Sequence, residues 1–223
     1  RQKSVQSQLT EMQRQLADSK AEVTAIREPV REQLLAKRKK DGQPAVGGPE
    51  PIAAWNFGKG TEDQLSQLDL SLIGGAKIVD GALLLDGKSA FARSTPLAKS
   101  LRAKTLEAWV QLSNLDQRGG GVVSVQTRNG QTFDAIVFGE RSSKRWLAGS
   151  DNHRRTESFN GPKENEAKSS PVCIAIVYHD DGKITGYRNG KLYGRTYRKA
   201  GLQSFKADDS EVVLGLRHGK GGE

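Results

Sequence analysis

Residues 171–194, PVCIAIVYHDDGKITGYRNGKLYG, carry two β-hairpin signals in succession. Asp180-Asp181-Gly182 separates the apolar run PVCIAIVY from the run KITGYR, and Asn189-Gly190 follows the second run. An Asn-Gly pair suits a type I′ turn, because both central residues of that turn need positive φ values. Strands joined by such short turns are antiparallel neighbours. The segment therefore predicts antiparallel sheet with no helix between its strands.

The same organisation extends over most of the chain. From Ile52 to about residue 218, short apolar runs alternate with turn residues, and no helical period intervenes. The 25 glycines and an aromatic content of only 6% are typical of many turns between short strands. About a dozen strands at this spacing predict a mainly β fold, a two-sheet antiparallel jelly-roll sandwich.

Residues 1–40 follow a different period and predict an N-terminal helical arm. Apolar side chains recur there at alternating spacings of four and three, with Ser19 and Gln33 as polar breaks. We call this set the heptad seam: Val5, Leu9, Met12, Leu16, Val23, Ile26 and Val30. Its apolar side chains predict a coiled-coil-like contact, with a second copy or with another part of a larger protein. Pro29 predicts a break in the helix.

The proline- and glycine-rich segment 41–51, DGQPAVGGPEP, is predicted as a linker between the arm and a domain at residues 52–223. The chain begins within a helical pattern, so we expect it to be part of a longer protein. No apolar run reaches the roughly 18 residues of a membrane span. Cys173 is the single cysteine, which excludes an internal disulfide or a cysteine-based zinc site.

The net charge of +9 suggests an anionic partner. Residues 1–40 contain ten Lys and Arg against five Asp and Glu, so the arm holds +5 of this charge and the rest of the chain only +4. The chain lacks an ordered basic stripe interleaved with stacking aromatic residues. We therefore predict no nucleic-acid partner, and sulfated or uronic polysaccharides remain as candidate anionic ligands.

Several motifs carry a family likeness. WNF, LLLDG, FARS, TLEAWVQL and the double hairpin resemble the laminin-G-like, concanavalin-A-like jelly roll. LDQRGGG, FDAIVFGE, RWLAGSD and GLRH are similar to a domain inserted in large secreted multidomain proteins of planctomycete bacteria, which also carry a c-type haem domain. The chain has no C-x-x-C-H motif, so no haem is expected here. Such jelly rolls usually continue beyond the point where this sequence stops, so an unpaired position is expected beside the last strand.

The resemblance implies a non-catalytic carbohydrate-binding or adhesion module of a larger exported protein, located in the periplasm, at the cell surface or outside the cell. The alternative is a structural domain that packs against other domains of its parent. Related glucan hydrolases need two carboxyl groups about 5–5.5 Å apart, and Glu107 in TLEAWV has no such companion on its strand. We therefore predict no enzyme. The resemblance also allows a calcium ion on the rim, held by Asp151, Asn152 or backbone carbonyls.

Residues 133–156, FDAIVFGERSSKRWLAGSDNHRRT, are the candidate site. With Arg141–Lys144 as the turn, Phe138 pairs with Leu147 and Asp134 with Asp151. Trp146 then rises from a floor of small residues on the solvent face, where its ring suits stacking on a sugar. The predicted ligand-binding residues are Trp146, Arg141, Asp151, Arg154, Arg155 and Asp134.

An alternative for Trp146 is that its ring only shields Gly139 on the neighbouring strand. The arginines of the candidate site suit sulfate or carboxylate groups on a sugar, which they bind through paired hydrogen bonds. The other two tryptophans, Trp55 and Trp109, lie in runs typical of core strands and are expected to be buried.

Overall fold

The computed structural model describes residues 2–40, 50–199 and 201–219. The chain divides into two compact units, Arg1–Pro51 and Ile52–Glu223. Most of the predicted linker, residues 41–49, lies outside the described residues. Among the residues that are described, no helix is both long and apolar enough to span a bilayer.

The first unit contains helix α1 (Gln2–Lys40), which includes Pro29 without interruption. No second helix therefore starts at Pro29, and a kink at that position stays a prediction. A proline lacks one N–H donor, here the one that would face the carbonyl of Ala25. The side chains of the heptad seam are 48% to 70% exposed. Their contact with a second copy or another segment stays a prediction.

The described part of the second unit contains thirteen strands, and their pairing is antiparallel throughout. In chain order they are β1 (Leu70–Ile73), β2 (Lys77–Val79), β3 (Ala82–Leu84), β4 (Phe91–Ser94), β5 (Lys104–Val110), β6 (Gly120–Thr127), β7 (Phe133–Phe138), β8 (Trp146–Ser150), β9 (Val172–Tyr178), β10 (Lys183–Arg188), β11 (Lys191–Leu192), β12 (Tyr197–Arg198) and β13 (Ser210–Leu214).

Two sheets form the predicted jelly-roll sandwich. The larger sheet has the order β1-β4-β13-β6-β7-β8, and the smaller has the order β11-β10-β9-β5 with β12 also on β10. Strands β2 and β3 form a separate hairpin. One apolar core lies between the sheets, because alternate residues of strands in both sheets join a single buried cluster. The mainly β, antiparallel fold is thereby confirmed.

Both predicted hairpins are present. Asn189 and Gly190 have φ values of 48° and 74°, which a type I′ turn requires, and they join β10 to β11. In the other hairpin, Gly182 has a φ of 82°, and the N–H of His179 donates to the carbonyl of Lys183 at 2.9 Å. Turn chemistry in the sequence thus placed β9, β10 and β11 correctly.

The last strand, β13, lies between β4 and β6 and pairs with both. The unpaired position expected beside it is therefore not found in the described sheet. The following residues, 215–219, lie against the outer face of the larger sheet. There the side-chain amide of Gln126 bonds both backbone groups of Gly219, at 2.9 Å each. The hydroxyl of Ser124 donates to the carbonyl of Arg217 at 2.7 Å.

Candidate functional site

The pairing of β7 with β8 differs by one residue from the predicted register. Phe138 pairs with Trp146, where Leu147 was expected. The connecting loop is longer than predicted, because the N–H of Gly139 donates to the carbonyl of Arg145 and both Gly139 and Lys144 have positive φ values. Side chains alternate between the two faces of a strand, so a one-residue slip moves each β8 side chain to the opposite face.

Trp146 consequently lies in the core and not on the surface. Only 1% of its area is exposed, and its ring is 4.7 Å from that of Phe138. The indole N–H donates to Oε2 of Glu164 at 2.8 Å. The prediction that Trp146 binds a ligand is therefore wrong, and so is the alternative in which it shields Gly139. Its role is packing, with its polar atom satisfied by a buried carboxylate.

Glu164 is the acceptor at the centre of a buried hydrogen-bond network. Its Oε1 accepts the backbone N–H groups of Asn165, Glu166 and Ala167, and Arg188 donates to both of its carboxylate oxygens. Burial acts to raise the pKa of Glu164. The hydrogen bonds from Arg188, Trp146 and the backbone outweigh this effect and lower that pKa to about 2. Nothing in the sequence around residue 164 signalled this role.

Asp134 and Arg155, also predicted to bind a ligand, are buried together at the edge of the core. Nε of Arg155 donates to Oδ1 of Asp134 at 2.7 Å, and its Nη2 donates to Asp151. The ammonium of Lys104 lies 2.8 Å from Oδ2 of Asp134. The same ammonium lies over the rings of Tyr178 and Phe205, at 4.6 and 4.8 Å from their centroids.

This network gives Asp134 and Arg155 a structural role, since their charges compensate one another inside the fold.

Arg141 and Arg154 are exposed, as the prediction required. Nε of Arg154 lies 3.8 Å from Oδ2 of Asp151. Of the six predicted residues, the structure thus leaves these two arginines on the surface and Asp151 at the edge of a small pocket.

Trp109 is the aromatic residue that does face solvent. It lies on β5, the end strand of the smaller sheet, and 72% of its area is exposed. The expectation that Trp109 is a core residue is therefore wrong. The sequence held the signal for its position, because Leu106, Ala108 and Val110 alternate with Glu107 and Trp109, and the polar member of the second set marks the outer face.

The residues around Trp109 form an outward-facing patch on the smaller sheet. Registers place Trp109 opposite Cys173, Ala175 opposite both Glu107 and Tyr187, and Tyr187 opposite Leu192. We call this set the Trp109 face: Glu107, Trp109, Cys173, Ala175, Tyr187 and Leu192. Burial and the nearby Glu107 carboxylate raise the pKa of the Cys173 thiol, so it stays protonated at neutral pH.

Trp109 and Tyr187 are separated by two strand spacings across the sheet and two residues along a strand, which puts their backbones about 12 Å apart. Leu192, on the next strand, is 58% exposed. The face is therefore an open surface on which Trp109 and Tyr187 lie along a diagonal and Leu192 lies directly beside Tyr187. Glu107, which is also exposed, offers a hydrogen-bond acceptor beside them.

A rim calcium ion at Asp151 or Asn152 stays a prediction. Asp151 accepts a hydrogen bond from the guanidinium of Arg155. In the described part of the chain, no three His, Cys, Asp or Glu side chains converge, so Asn and backbone carbonyl oxygens would have to provide much of the coordination.

Lectin domains are among the proteins built as an antiparallel two-sheet jelly roll. A protein-family model for the concanavalin A-like lectin/glucanases superfamily, Laminin_G_3, matches residues 86–223, which is more than half of the chain. The chain belongs to this family. The curated proteins gave no match.

Solved structures with a similar fold include a heptameric SAP-like pentraxin from Limulus polyphemus, at 20% identity and a TM-score of 0.47, over 66% of this chain and 63% of the pentraxin chain. The carbohydrate binding module CBM66 from Bacillus subtilis is 10% identical, with a TM-score of 0.42 over 66% of this chain and 87% of that module. The botulinum neurotoxin serotype D binding domain is 12% identical, with a TM-score of 0.48 over 73% and 42%. This chain spans less than two thirds of the pentraxin chain.

Proposed function

We propose that this chain is a non-catalytic carbohydrate-binding module and that the Trp109 face is its binding surface. The exposure of Trp109 carries the proposal. A tryptophan exposes a large apolar area to water, which is unfavourable unless a partner covers it. The C–H groups of a sugar ring pack well on an indole face, and the family to which the chain belongs includes lectins.

The shape of the face supports a polysaccharide over a single sugar. Trp109 and Tyr187 stand on strands two apart with no strand edge between them, so one sugar chain can contact both rings. Glu107 lies on the same face and can accept hydrogen bonds from sugar hydroxyls. The net charge of +9 favours sulfated or uronic polysaccharides, whereas the carboxylate of Glu107 favours neutral ones, so the test below includes both.

The absence of catalysis is part of the proposal. Asp134 and Glu164 are buried carboxylates held by Lys104, Arg155 and Arg188, and neither lies on the Trp109 face. For Glu164, the ion pair with Arg188 and the other hydrogen bonds outweigh the effect of burial and lower its pKa, which is unsuited to a general acid. Glycoside hydrolysis needs a second carboxyl group near the first, and Glu107 is the carboxylate that the Trp109 face provides among its described residues.

We further propose that the module acts within a larger exported protein, because its motifs resemble domains of secreted multidomain proteins. In the competing structural role, another domain of the parent would cover the Trp109 face. The two roles make opposite predictions for the isolated 223-residue chain, because only the first gives it an affinity for polysaccharides.

Affinity electrophoresis tests this directly. Gels would contain hydroxyethyl cellulose, xylan or laminarin as neutral polysaccharides, and alginate or chondroitin sulfate as anionic ones. We expect at least one polysaccharide to retard the wild-type chain. Trp109→Ala should weaken that retardation at least about tenfold, as expected for removal of a central aromatic contact. Retardation by an anionic polysaccharide should weaken with added salt.

Leu84→Ala is the matched control, since Leu84 is 50% exposed on the separate β2–β3 hairpin. It should leave the retardation unchanged, and thermal melts should show that both variants fold. The proposal fails when no polysaccharide retards the wild-type chain, or when Trp109→Ala behaves like Leu84→Ala.

A further inference from the structure

Helix α1 presents the heptad seam to solvent. The seven apolar side chains of the seam lie along one side of the helix, and each is 48% to 70% exposed. Most helical stability in proteins comes from burial of an apolar face, so a helix without a packing partner is marginal in water. Among the described residues of the second unit there are strands and one short 3₁₀ turn, but no second α-helix. A helical partner for the seam must therefore come from outside the described part of this chain.

The exposed area of the seam suits a contact with one partner helix. Complete burial of a valine or leucine side chain stabilises by about 1.5–3 kcal/mol at about 25 cal/mol per Å², which corresponds to roughly 60–120 Å². Seven such side chains therefore give roughly 400–800 Å² per chain. A standard protein interface buries about 800 Å² on each partner. The seam and the residues that flank it can thus form an interface of ordinary size along the helix, which is about 58 Å long.

The polar breaks of the seam indicate which partner it takes. In the heptad repeat, written a to g, the breaks Ser19 and Gln33 both occupy d positions. In a parallel pair of identical helices without stagger, each d residue lies beside the same residue of the other copy. Ser19 then meets Ser19 and Gln33 meets Gln33, so each polar side chain is buried beside a hydrogen-bonding partner.

Other arrangements of two copies leave these polar side chains beside apolar ones. A stagger of one heptad would place Ser19 beside Met12 or Ile26. An antiparallel pair sets d residues against a residues, and the a residues of the seam are all apolar: Leu9, Leu16, Val23 and Val30. Burial of a hydroxyl group without a hydrogen-bonding partner costs about 1–3 kcal/mol. The parallel pair without stagger is therefore favoured.

The residues that flank the N-terminal half of the seam are also compatible with a second copy. Its e and g positions are exposed glutamines: Gln6, Gln8, Gln13 and Gln15. A glutamine amide both donates and accepts hydrogen bonds, so it can pair with a glutamine of an identical chain without charge repulsion. Opposite charges at these positions are the usual means of selecting a different partner chain, and this half of the seam has none.

We propose that this protein forms a homodimer in which α1 pairs with α1 of a second copy, parallel and without stagger, through the heptad seam. Six of the seven seam residues precede Pro29, so the contact does not depend on the helix geometry at the proline. Each chain of the dimer contributes one Trp109 face. Two linked sites bind a polymer more tightly than one, because the second contact forms within a complex that already exists. This gain in avidity rests on the proposed polysaccharide site, whereas the pairing of the helices does not.

Sedimentation velocity of the 223-residue chain over a wide range of concentrations tests the dimer. The buffer contains no polysaccharide, so a failure here leaves the proposed polysaccharide site untouched. Salt at about 0.15 M screens the net charge of the arm. With rising concentration we expect the mass to approach twice 24.3 kDa.

Leu16→Lys should weaken dimerisation at least about a hundredfold, because two leucines leave the seam and two like charges replace them. Ala21→Lys is the matched control, since it introduces the same charge at an exposed f position on the opposite side of the helix. It should dimerise like the wild type. Thermal melts should show that the second unit folds in both variants.

A disulfide crosslink tests orientation and register. In a chain that also carries Cys173→Ala, Ser19→Cys introduces the single thiol. The two copies of residue 19 are neighbours in the parallel pair without stagger, so mild oxidation should link them, as non-reducing gels would show. Ser7→Cys in the same background is the matched control, because residue 7 is exposed at an f position, and it should crosslink far less.

Three results would overturn the proposal. The first is a mass of one chain at every concentration, which would assign the seam to a different partner. The second is a mass above that of a dimer, or a dimer that Leu16→Lys leaves intact. The third is equal crosslinking of the Ser19→Cys and Ser7→Cys variants, which would exclude the parallel pair without stagger.

Discussion

Replacing Glu164 by glutamine tests whether the buried carboxylate network holds the two sheets together. Glu164 accepts hydrogen bonds from the indole of Trp146 on the larger sheet and from Arg188 on the smaller one. A glutamine side chain has the same shape but only one acceptor oxygen. Its amide group would present a donor to other donors, and Arg188 would lose part of its counter-charge.

The size of the effect follows from the pKa of Glu164. Its hydrogen bonds lower that pKa from the ordinary value of 4.5 to about 2. At about 1.4 kcal/mol for each pKa unit, the folded state gains about 3 kcal/mol from ionisation of this group. A lowered carboxyl pKa stabilises the protein above the unfolded-state pKa, and the gain is lost as the pH falls towards the folded-state value. About 1 kcal/mol of it should remain at pH 3.

Urea unfolding followed by circular dichroism would measure the free energy of unfolding of the wild type and the variant at pH 7 and at pH 3. At pH 7 we expect Glu164→Gln to lower the free energy of unfolding by about 3 kcal/mol, and the difference from the wild type should shrink at pH 3. Glu166→Gln is the matched control, because Glu166 also pairs with Arg188 but its side chain is 59% exposed. Its loss should cost less than about 1 kcal/mol. Equal costs for the two variants, or a cost for Glu164→Gln that does not change with pH, would refute the reasoning.

Two further substitutions test the assignment of buried residues. Trp146→Phe removes the donor to Glu164 and should lower the free energy of unfolding by about 1–3 kcal/mol while leaving polysaccharide retardation unchanged; a loss of retardation would contradict its place in the core. Lys104→Met leaves Asp134 with Arg155 as its cationic partner and should cost about 3–5 kcal/mol. For a chain of this size that corresponds to a melting temperature roughly 10 °C lower, and an unchanged melting temperature would show that Asp134 does not need the ammonium.

The sequence was most informative where conformation is decided by neighbouring residues. The turns at Gly182 and Asn189-Gly190 are confirmed, because positive φ values favour these residue types wherever the chain reverses. The mainly β fold is confirmed for a similar reason, since alternation with a period of two leaves no stable helical face. The alternation of polar and apolar residues in TLEAWV also indicates that Trp109 points outward. The expectation that Trp109 is buried relied on its aromatic character and not on this alternation.

Other features could not be predicted because they depend on where distant segments meet. The register of β7 and β8 was wrong by one residue, since the left-handed conformations of Gly139 and Lys144 lengthen the loop. That slip alone moved Trp146 from the surface to the core. In the same way, Glu164 meets Arg188 only when the two sheets pack, and Glu140 meets Arg217 only when the segment after β13 crosses the larger sheet.

The sequence by itself therefore determined the mainly β fold, the turns of the β9–β10 and β10–β11 hairpins and the family, because these properties are set by local sterics and by the period of apolar residues. The tertiary structure alone decided that Trp146 is buried and which charges are paired. A one-residue register shift costs little locally yet exchanges the two faces of a strand. Burial of a charge is tolerable only beside partners that the fold brings from elsewhere in the chain. The burial of Trp146 and the pairing of Glu140 with Arg217 are consequences of packing that no local pattern encodes in full.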